Sequence, residues 1–188
     1  EGFPFEGDGK FRVAPIIINN NQFPIIVAAS KNGSVYGLSE NADIVFHFTS
    51  DYEITTSPTF SKINDQSYIF FGTINGLLYA IDFNGNIKDN YPVVIGENAF
   101  IGSIMLADLN NDSSSEIIIV DDFGHMSILN QDLSYYQNSP IKNDFAFSSA
   151  PLIDDFDNDG DLEIIAGSVN TLFVTDIKQT SGANASVY

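Results

Sequence analysis

Apolar residues along the chain come in short runs, each bounded by polar turn formers. Ala14 to Ile18, Pro24 to Ala29, Tyr68 to Phe71, Glu116 to Val120 and Glu163 to Ala166 are rich in Ile, Val, Phe and Tyr, side chains that pack well on a pleated surface. Clusters of Asn, Asp, Gly and Ser separate the runs. Nowhere does an apolar spacing of i, i+3, i+4, i+7 persist long enough to argue for an amphipathic helix. Short β-rich runs punctuated by turns predict an all-β protein.

One unit recurs four times. In the first copy Ala14-Pro15-Ile16-Ile17 precedes Ile25 to Ser30 and then Asn32 to Leu38. In the second, Ser57-Pro58-Thr59-Phe60 precedes Tyr68 to Thr73 and Asn75 to Ile81. In the third, Gly102-Ser103-Ile104-Met105 precedes Glu116 to Val120 and Phe123 to Leu129. In the fourth, Ser149-Ala150-Pro151-Leu152 precedes Glu163 to Ser168 and Asn170 to Val174. Gly33, Gly76 and Gly124 lie 43 and 48 residues apart, and Asn170 follows 46 further on. A hydrophobic-Pro pattern marks a fourth strand at Tyr91-Pro92-Val93 and Ser139-Pro140-Ile141, with Phe48 at the corresponding place and Phe3-Pro4-Phe5 at the start.

A period in the forties with four short strands per unit is the signature of a propeller blade. The expectation is an all-β fold, a β-propeller of about four four-stranded blade repeats over 13–56, 57–101, 102–147 and 148–188 within a single domain, 1–188. Asn32-Gly33 and Asn75-Gly76 are hairpin dipeptides, because positive φ is accessible to Asn and Gly. Asn84-Gly85-Asn86 turns the third strand of its unit into the fourth. Residues 1–6 resemble the outer strand of a blade whose inner strands do not precede them, and no hydrophobic-Pro strand follows Asp176. Two arrangements fit: the N-terminal strand completes the last blade and closes a ring, or the chain is a window of a larger six- to eight-bladed propeller.

The sharpest local signal is Asp155-Phe156-Asp157-Asn158-Asp159-Gly160-Asp161-Leu162-Glu163. Oxygen side chains at alternate positions of a tight loop can converge on a hard cation, and calcium takes six to eight such oxygens. Asp155, Asp157 and Asp159 are the expected side-chain ligands, Asp161 the backbone-carbonyl ligand and Glu163 the closing carboxylate, with Gly160 at the sharp turn. The first six positions fit an EF-hand loop, but the twelfth is Ala166, and the flanks read as strands. The third unit repeats the spacing: Asp108, Asn110, Asp112 and Glu116, with Ser114 at the place of Asp161, and Ser113 in place of the glycine. In the first two units the loop shortens to Asn19-Asn20-Asn21-Gln22 and Asn64-Asp65-Gln66-Ser67, read as ordinary polar turns.

With these loops in the a–b position and Ile-Ile-Ala-Gly-Ser following, the chain resembles the FG-GAP or VCBS repeats of integrin α-subunit propellers and bacterial surface proteins. The resemblance covers nearly the whole chain, with the acidic loop recognisable in units three and four only. It implies a structural calcium ion and a propeller that serves as a binding platform. Gly76 to Asp82 also resembles a strand motif of quinoprotein-like propellers.

Composition narrows the partners. Seven Lys and Arg stand against 25 Asp and Glu, a formal charge of −18. Such a surface lacks the clustered cations that displace counterions from nucleic acid or dock on anionic lipid, and no run of apolar residues is long enough to insert in a membrane as a helix. Cysteine is absent, which removes disulfides, thiolate zinc sites and Cys nucleophiles. His47 and His125 read as strand residues, and no nucleophile elbow or helical zinc motif is present. Exposed aromatics such as Tyr135 and Tyr136 are candidates for a sugar-stacking platform. The functional expectation is a non-catalytic, calcium-binding, extracellular or cell-surface module for adhesion or ligand binding, its partner a protein or a carbohydrate, with self-association a further way to complete a ring. The alternatives are a propeller of a secreted polysaccharide-active or quinoprotein-like enzyme, and a structural scaffold.

Overall fold

The structure, a computed structural model, describes residues 2–19, 23–63 and 65–178 together with the backbone of 186–187. Every regular element among them is a strand, and no helix is long and apolar enough to cross a membrane. The chain divides into two compact units, Glu1–Phe100 and Ile101–Tyr188. The division falls within one residue of the boundary between the second and third repeats.

The first unit holds two antiparallel meanders. One is β1 (Ile16–Asn19), β2 (Pro24–Ala29), β3 (Ser34–Leu38) and β4 (Ile44–Thr49); the other is β5 (Thr59–Ile63), β6 (Gln66–Gly72), β7 (Leu77–Ile81) and β8 (Val93–Val94). In the second unit β9 (Phe100–Asp108), β10 (Glu116–Asp121), β11 (His125–Leu129) and β12 (Ile141–Lys142) form the third meander, and β16 (Ser186–Val187) adds to the outer side of β9. The fourth sheet has three strands, β13 (Leu152–Asp154), β14 (Leu162–Gly167) and β15 (Leu172–Ile177). The four predicted repeats correspond to four sheets whose strand order follows the chain, except that β16, from the fourth repeat, joins the third sheet beside β9.

Proline sets where strands begin. β1, β5 and β13 start immediately after Pro15, Pro58 and Pro151, and β8 and β12 immediately after Pro92 and Pro140. A proline has no N–H to give a ladder, so it is confined to strand starts and edges. β9 carries no proline at its start and runs to nine residues.

The turn after the second strand is built alike in three sheets. Gly33, Gly76 and Gly124 have φ of 95°, 74° and 88°. Their carbonyls accept the N–H groups of Ser50, Ile95 and Asn143 at 2.9, 3.0 and 2.8 Å. A Cβ at Gly124 would lie 2.6 Å from the Asn143 carbonyl oxygen, so both the conformation and the closeness require glycine. In the fourth sheet Asn170 stands at this position and no fourth strand follows among the described residues.

Each unit has its own core. Ile18, Ile25, Val27 and Val35 of the first sheet pack with Ile69, Phe71, Tyr79 and Ile81 of the second. Ile118, Val120, Met126 and Ile128 of the third pack with Ile153, Leu162, Ile164 and Ala166 of the fourth. Strands such as β10, buried along its whole length, are the continuous apolar runs visible in the sequence.

The N-terminal segment differs from its expected form. Residues 2–6 lie in no strand, and the segment makes a single bridge, Phe11 to Ser30. It lies over the outer face of the first sheet, where Phe5 and Phe11 meet the Tyr36 ring at 5.0 and 6.1 Å. Asp8 anchors it: Ser30 Oγ and Ser34 Oγ donate to its carboxylate at 2.8 and 2.7 Å. Ser34 gives its only proton to Asp8, so His47 Nε2, 3.1 Å from Ser34 Oγ, is the donor in that contact. Burial pushes the Asp8 carboxyl up, but the Ser34, Ser30 and Tyr36 hydroxyls and the nearby His47 together hold it below the ordinary value of 3.8. Because the folded value is depressed, this anchor contributes fully above 3.8 and is lost as pH falls through the lower folded value. Asp8→Asn is expected to lose ~1 kcal/mol at neutral pH and to remove the Asp8 share of acid sensitivity, both checked by thermal melts from neutral to acidic pH.

Candidate metal centre

Both acidic loops lie between the first and second strands of their sheets. In the fourth sheet β13 and β14 pair up to Asp154 opposite Glu163, and the loop 155–161 closes over their end. Carboxylate oxygens of Asp155, Asp157 and Asp159 come within 4.8 Å of one another, the only such group of three acids, histidines or cysteines among the described residues. The loop holds itself by its own amides. Gly160 N–H donates to Asp155 Oδ2 at 3.2 Å, Asp159 N–H to Asp157 Oδ1 at 3.1 Å and Asp161 N–H to Asp159 Oδ1 at 3.0 Å. Asn158 and Gly160 take φ of 62° and 96°, the left-handed conformations that let alternate side chains turn inward.

Two oxygens are left over. Glu163 is 3% exposed. Its Oε2 accepts the Phe156 N–H at 2.7 Å, but its Oε1 is buried without a hydrogen-bond partner, and so is Oδ1 of Asp155. A buried carboxylate oxygen without a donor is costly, and two beside converging carboxylates match the needs of a hard cation. The donor set is all oxygen, on a loop without cysteine or histidine, which suits calcium rather than zinc or copper. These residues fit the ion. Glu163, expected as the closing carboxylate, is not part of the three-carboxylate group, and Asp161 is expected only through its backbone carbonyl.

The sequence reading passed over Lys178. Its ammonium lies 2.8 Å from Asp159 Oδ2 and 2.5 Å from Asp176 Oδ2. It holds the Asp159 carboxyl below its ordinary value, helped by the Asp161 N–H. Lys178 lies 15 residues beyond Glu163 in the sequence, so no local pattern pointed to it.

The loop of the third sheet repeats the backbone. Ser113 N–H donates to Asp108 Oδ2 at 2.8 Å, Asp112 N–H to Asn110 Oδ1 at 3.0 Å, Ser114 N–H to Asp112 Oδ1 at 2.8 Å and Leu109 N–H to Glu116 Oε2 at 2.7 Å. It departs in two ways. Asp112 N–H also reaches Asp108 Oδ1 at 3.1 Å, so both oxygens of that carboxylate have donors. Ser113 holds φ of 70°, where a Cβ is strained, as expected for a residue standing in for the glycine. Asp108 and Glu116 are each 1% exposed. Burial pushes the Glu116 carboxyl up to about 7, with Asp112 and Asp108 adding like charge. Of the shortened loops, residues 20–22 and 64 lie outside the described residues.

Other candidates resolve plainly. His47 and His125 lie in β4 and β11, as expected. Tyr135 is exposed, but Tyr136 is buried in the core of the second unit and offers no platform for a sugar. A cleft of about 370 Å³ beside the second sheet is lined by Gln66, Tyr68, Asn84, Asn86, Lys88 and two acids, Asp82 and Asp89. Asn84 and Asn86 N–H groups each donate to Asp82 Oδ1 at 2.8 Å, and with their side chains they outweigh burial and hold Asp82 below its ordinary value.

No protein-family model and no curated protein matches the chain. Solved structures do. The computationally designed Ika4 protein aligns at a TM-score of 0.61 and 13% identity over 92% of this chain and 94% of its own. The computationally designed Ika8 protein aligns at 0.56 and 15% identity, over 86% of this chain and 45% of its own. Sqt1 of Saccharomyces cerevisiae, a WD40 propeller-like protein, aligns at 0.66 and 13% identity, over 93% of this chain and 48% of its own. The chain thus spans nearly all of Ika4 and about half of Ika8 and Sqt1. At these identities the likeness concerns the fold alone, and that fold is all-β and propeller-like.

Proposed function

We propose that each sheet is one blade of a β-propeller of the FG-GAP or VCBS kind, and that the chain is a non-catalytic, calcium-stabilised binding module. The observation that carries the reading is the pair of buried, partnerless oxygens, Oδ1 of Asp155 within the Asp155, Asp157 and Asp159 group and Oε1 of Glu163, whose other oxygen accepts the loop's Phe156 N–H. Asp155, Asp157, Asp159 and Glu163 hold the ion through side chains and Asp161 through its carbonyl. Asp108, Asn110, Asp112, Ser114 and Glu116 form a second, weaker site, because Asp108 is already satisfied by amides. Calcium would add to the one positive charge that Lys178 brings to the fourth-sheet loop and fix the ends of the strand pairs on either side.

Sites of this kind suit the millimolar calcium found outside cells, which supports an extracellular or cell-surface role in adhesion or in holding a protein or carbohydrate ligand. Calorimetric calcium titration and native mass spectrometry test the metal. Two ions per chain are expected, the tighter lost in Asp157→Asn and the weaker in Asp112→Asn. Retention of no ion by the folded wild-type chain would overturn the reading.

A further inference from the structure

Lys178 stands where the acidic loop of the fourth sheet meets the sheet's third strand. β14 and β15 pair with Glu163 opposite Asp176 and Leu162 opposite Ile177. One more step of that register puts Lys178 opposite Asp161. Residues two apart on a strand share a face, so Lys178 lies on the face that carries Asp176 and Glu163. Like charges directly opposite each other across a ladder repel, and here one of the two, Glu163, is 3% exposed. Lys178 answers that charge from the rim. Its ammonium bridges Asp176 Oδ2 at 2.5 Å and Asp159 Oδ2 at 2.8 Å, with the side chain 64% exposed.

The bridge engages a residue proposed to hold calcium. Asp159 Oδ1 accepts the Asp161 N–H at 3.0 Å and Oδ2 accepts Lys178 Nζ, so both of its oxygens already have donors. Oδ1 of Asp155 and Oε1 of Glu163, by contrast, are buried without one. A lysine ammonium is a compact single charge on a flexible stem. Calcium carries twice the charge and gathers several oxygens at once. The two cations repel each other at Asp159, and Asp176 offers the ammonium a second seat, on the strand and outside the loop. The third sheet is built differently. Carrying on the register of Ile117 opposite Leu129 puts Asn130 opposite Glu116 and Asp132 opposite Ser114. An amide and an acid stand there in place of the acid and lysine of the fourth sheet.

We infer that Lys178 is a built-in counter-ion of the fourth-sheet loop and a competitor for its calcium. Without an ion it ties Asp159 to Asp176 and offsets the charge of the loop. When calcium enters, the ammonium leaves Asp159 and stays on Asp176. Lys178 thereby holds the affinity of the site below what its oxygens alone would give, and it passes the state of the loop to the end of β15. The inference rests on the calcium reading of this loop.

Calorimetric calcium titration in a D112N background reads the fourth-sheet site by itself. Against that parent, K178M should bind calcium about three- to tenfold tighter, the effect of removing a unit charge from beside a divalent ion in a largely solvated setting. K178R should bind as the parent does. In EDTA, K178M should melt below the parent, because the loop acids have lost their counter-ion. D176N should weaken calcium binding more with Lys178 present than in K178M, since it removes the seat to which the ammonium withdraws. The exposure of Lys178 leaves the fold intact in each variant, which circular dichroism checks. Four results overturn the inference while calcium still binds: K178M with the affinity of the parent, K178R as tight as K178M, K178M with the melting point of the parent in EDTA, or a D176N effect that is the same with and without Lys178. A folded parent and K178M that both take up no calcium would overturn the calcium reading itself, and this inference with it.

Discussion

In EDTA, Glu163→Gln melts above the wild-type chain; in excess calcium it melts below it. The inversion follows from the geometry of one side chain. Without an ion, Glu163 is a charge at 3% exposure with Oε1 unpartnered, close to a loop bearing four aspartates. Glutamine keeps the shape and an oxygen for the Phe156 N–H while removing the charge, a gain of ~1–3 kcal/mol where a buried group was unpaired. With an ion present much of the negative charge of the wild-type site is offset, and at a hundredfold excess over the dissociation constant it gains about 2.7 kcal/mol. Glutamine has lost a charged ligand and gains much less. For a unit of this size ~1 kcal/mol moves the midpoint by about 4–8 °C, so both signs are readable by scanning calorimetry, with magnesium as the control cation. If the two proteins keep the same order in EDTA and in calcium, Glu163 does not face an ion.

Periodic features were legible in the sequence, and contacts without a period were not. Inner strands such as β3 and β11 begin and end close to their expected residues because a run of apolar side chains buried on both faces needs no partner to be recognised. The first strands β1, β5 and β13 start later than the pattern implied, because Pro15, Pro58 and Pro151 count as apolar-run members in a sequence but have no N–H to give a ladder, whereas β9, with no proline, starts earlier. The acidic loops were legible because chelation demands oxygens at alternate positions, and the same i to i+5 amide bond closes both, Gly160 to Asp155 and Ser113 to Asp108. Their inequality was only half visible. The serine at the glycine position could be read, but the second amide on Asp108 and the orphaned oxygens of Asp155 and Glu163 depend on how each loop folds over its strand ends. The anchoring of residues 5–11 had no sequence signal, since Asp8 meets Ser30 and Ser34 across 22 and 26 residues. Tyr135 and Tyr136 are adjacent aromatics on a turn, and only the fold decides which of them is buried.

Phe71→Ala is expected to cost ~3–5 kcal/mol, the range for emptying a fully buried phenylalanine site. The side chain has no exposed surface. It stacks on Tyr79 with ring centroids 5.0 Å apart and an interplanar angle of 6°, and it meets Phe48 of the first sheet at 5.7 Å. The last contact makes the position diagnostic, because Phe71 lies on β6 of the second sheet and Phe48 on β4 of the first. Truncation opens a cavity where the two sheets meet, and the rings around it are too rigid to fill it. Phe71→Leu, which keeps most of the volume, should cost ~1–1.5 kcal/mol. Ile17→Ala, on the face of the first sheet turned away from this core, should stay within about 0.5 kcal/mol as an exposed substitution. Urea unfolding followed by circular dichroism separates the three. A Phe71→Ala loss no larger than that of Ile17→Ala would mean that the first and second sheets do not share a core, and the reading of the repeats as packed blades would fail with it.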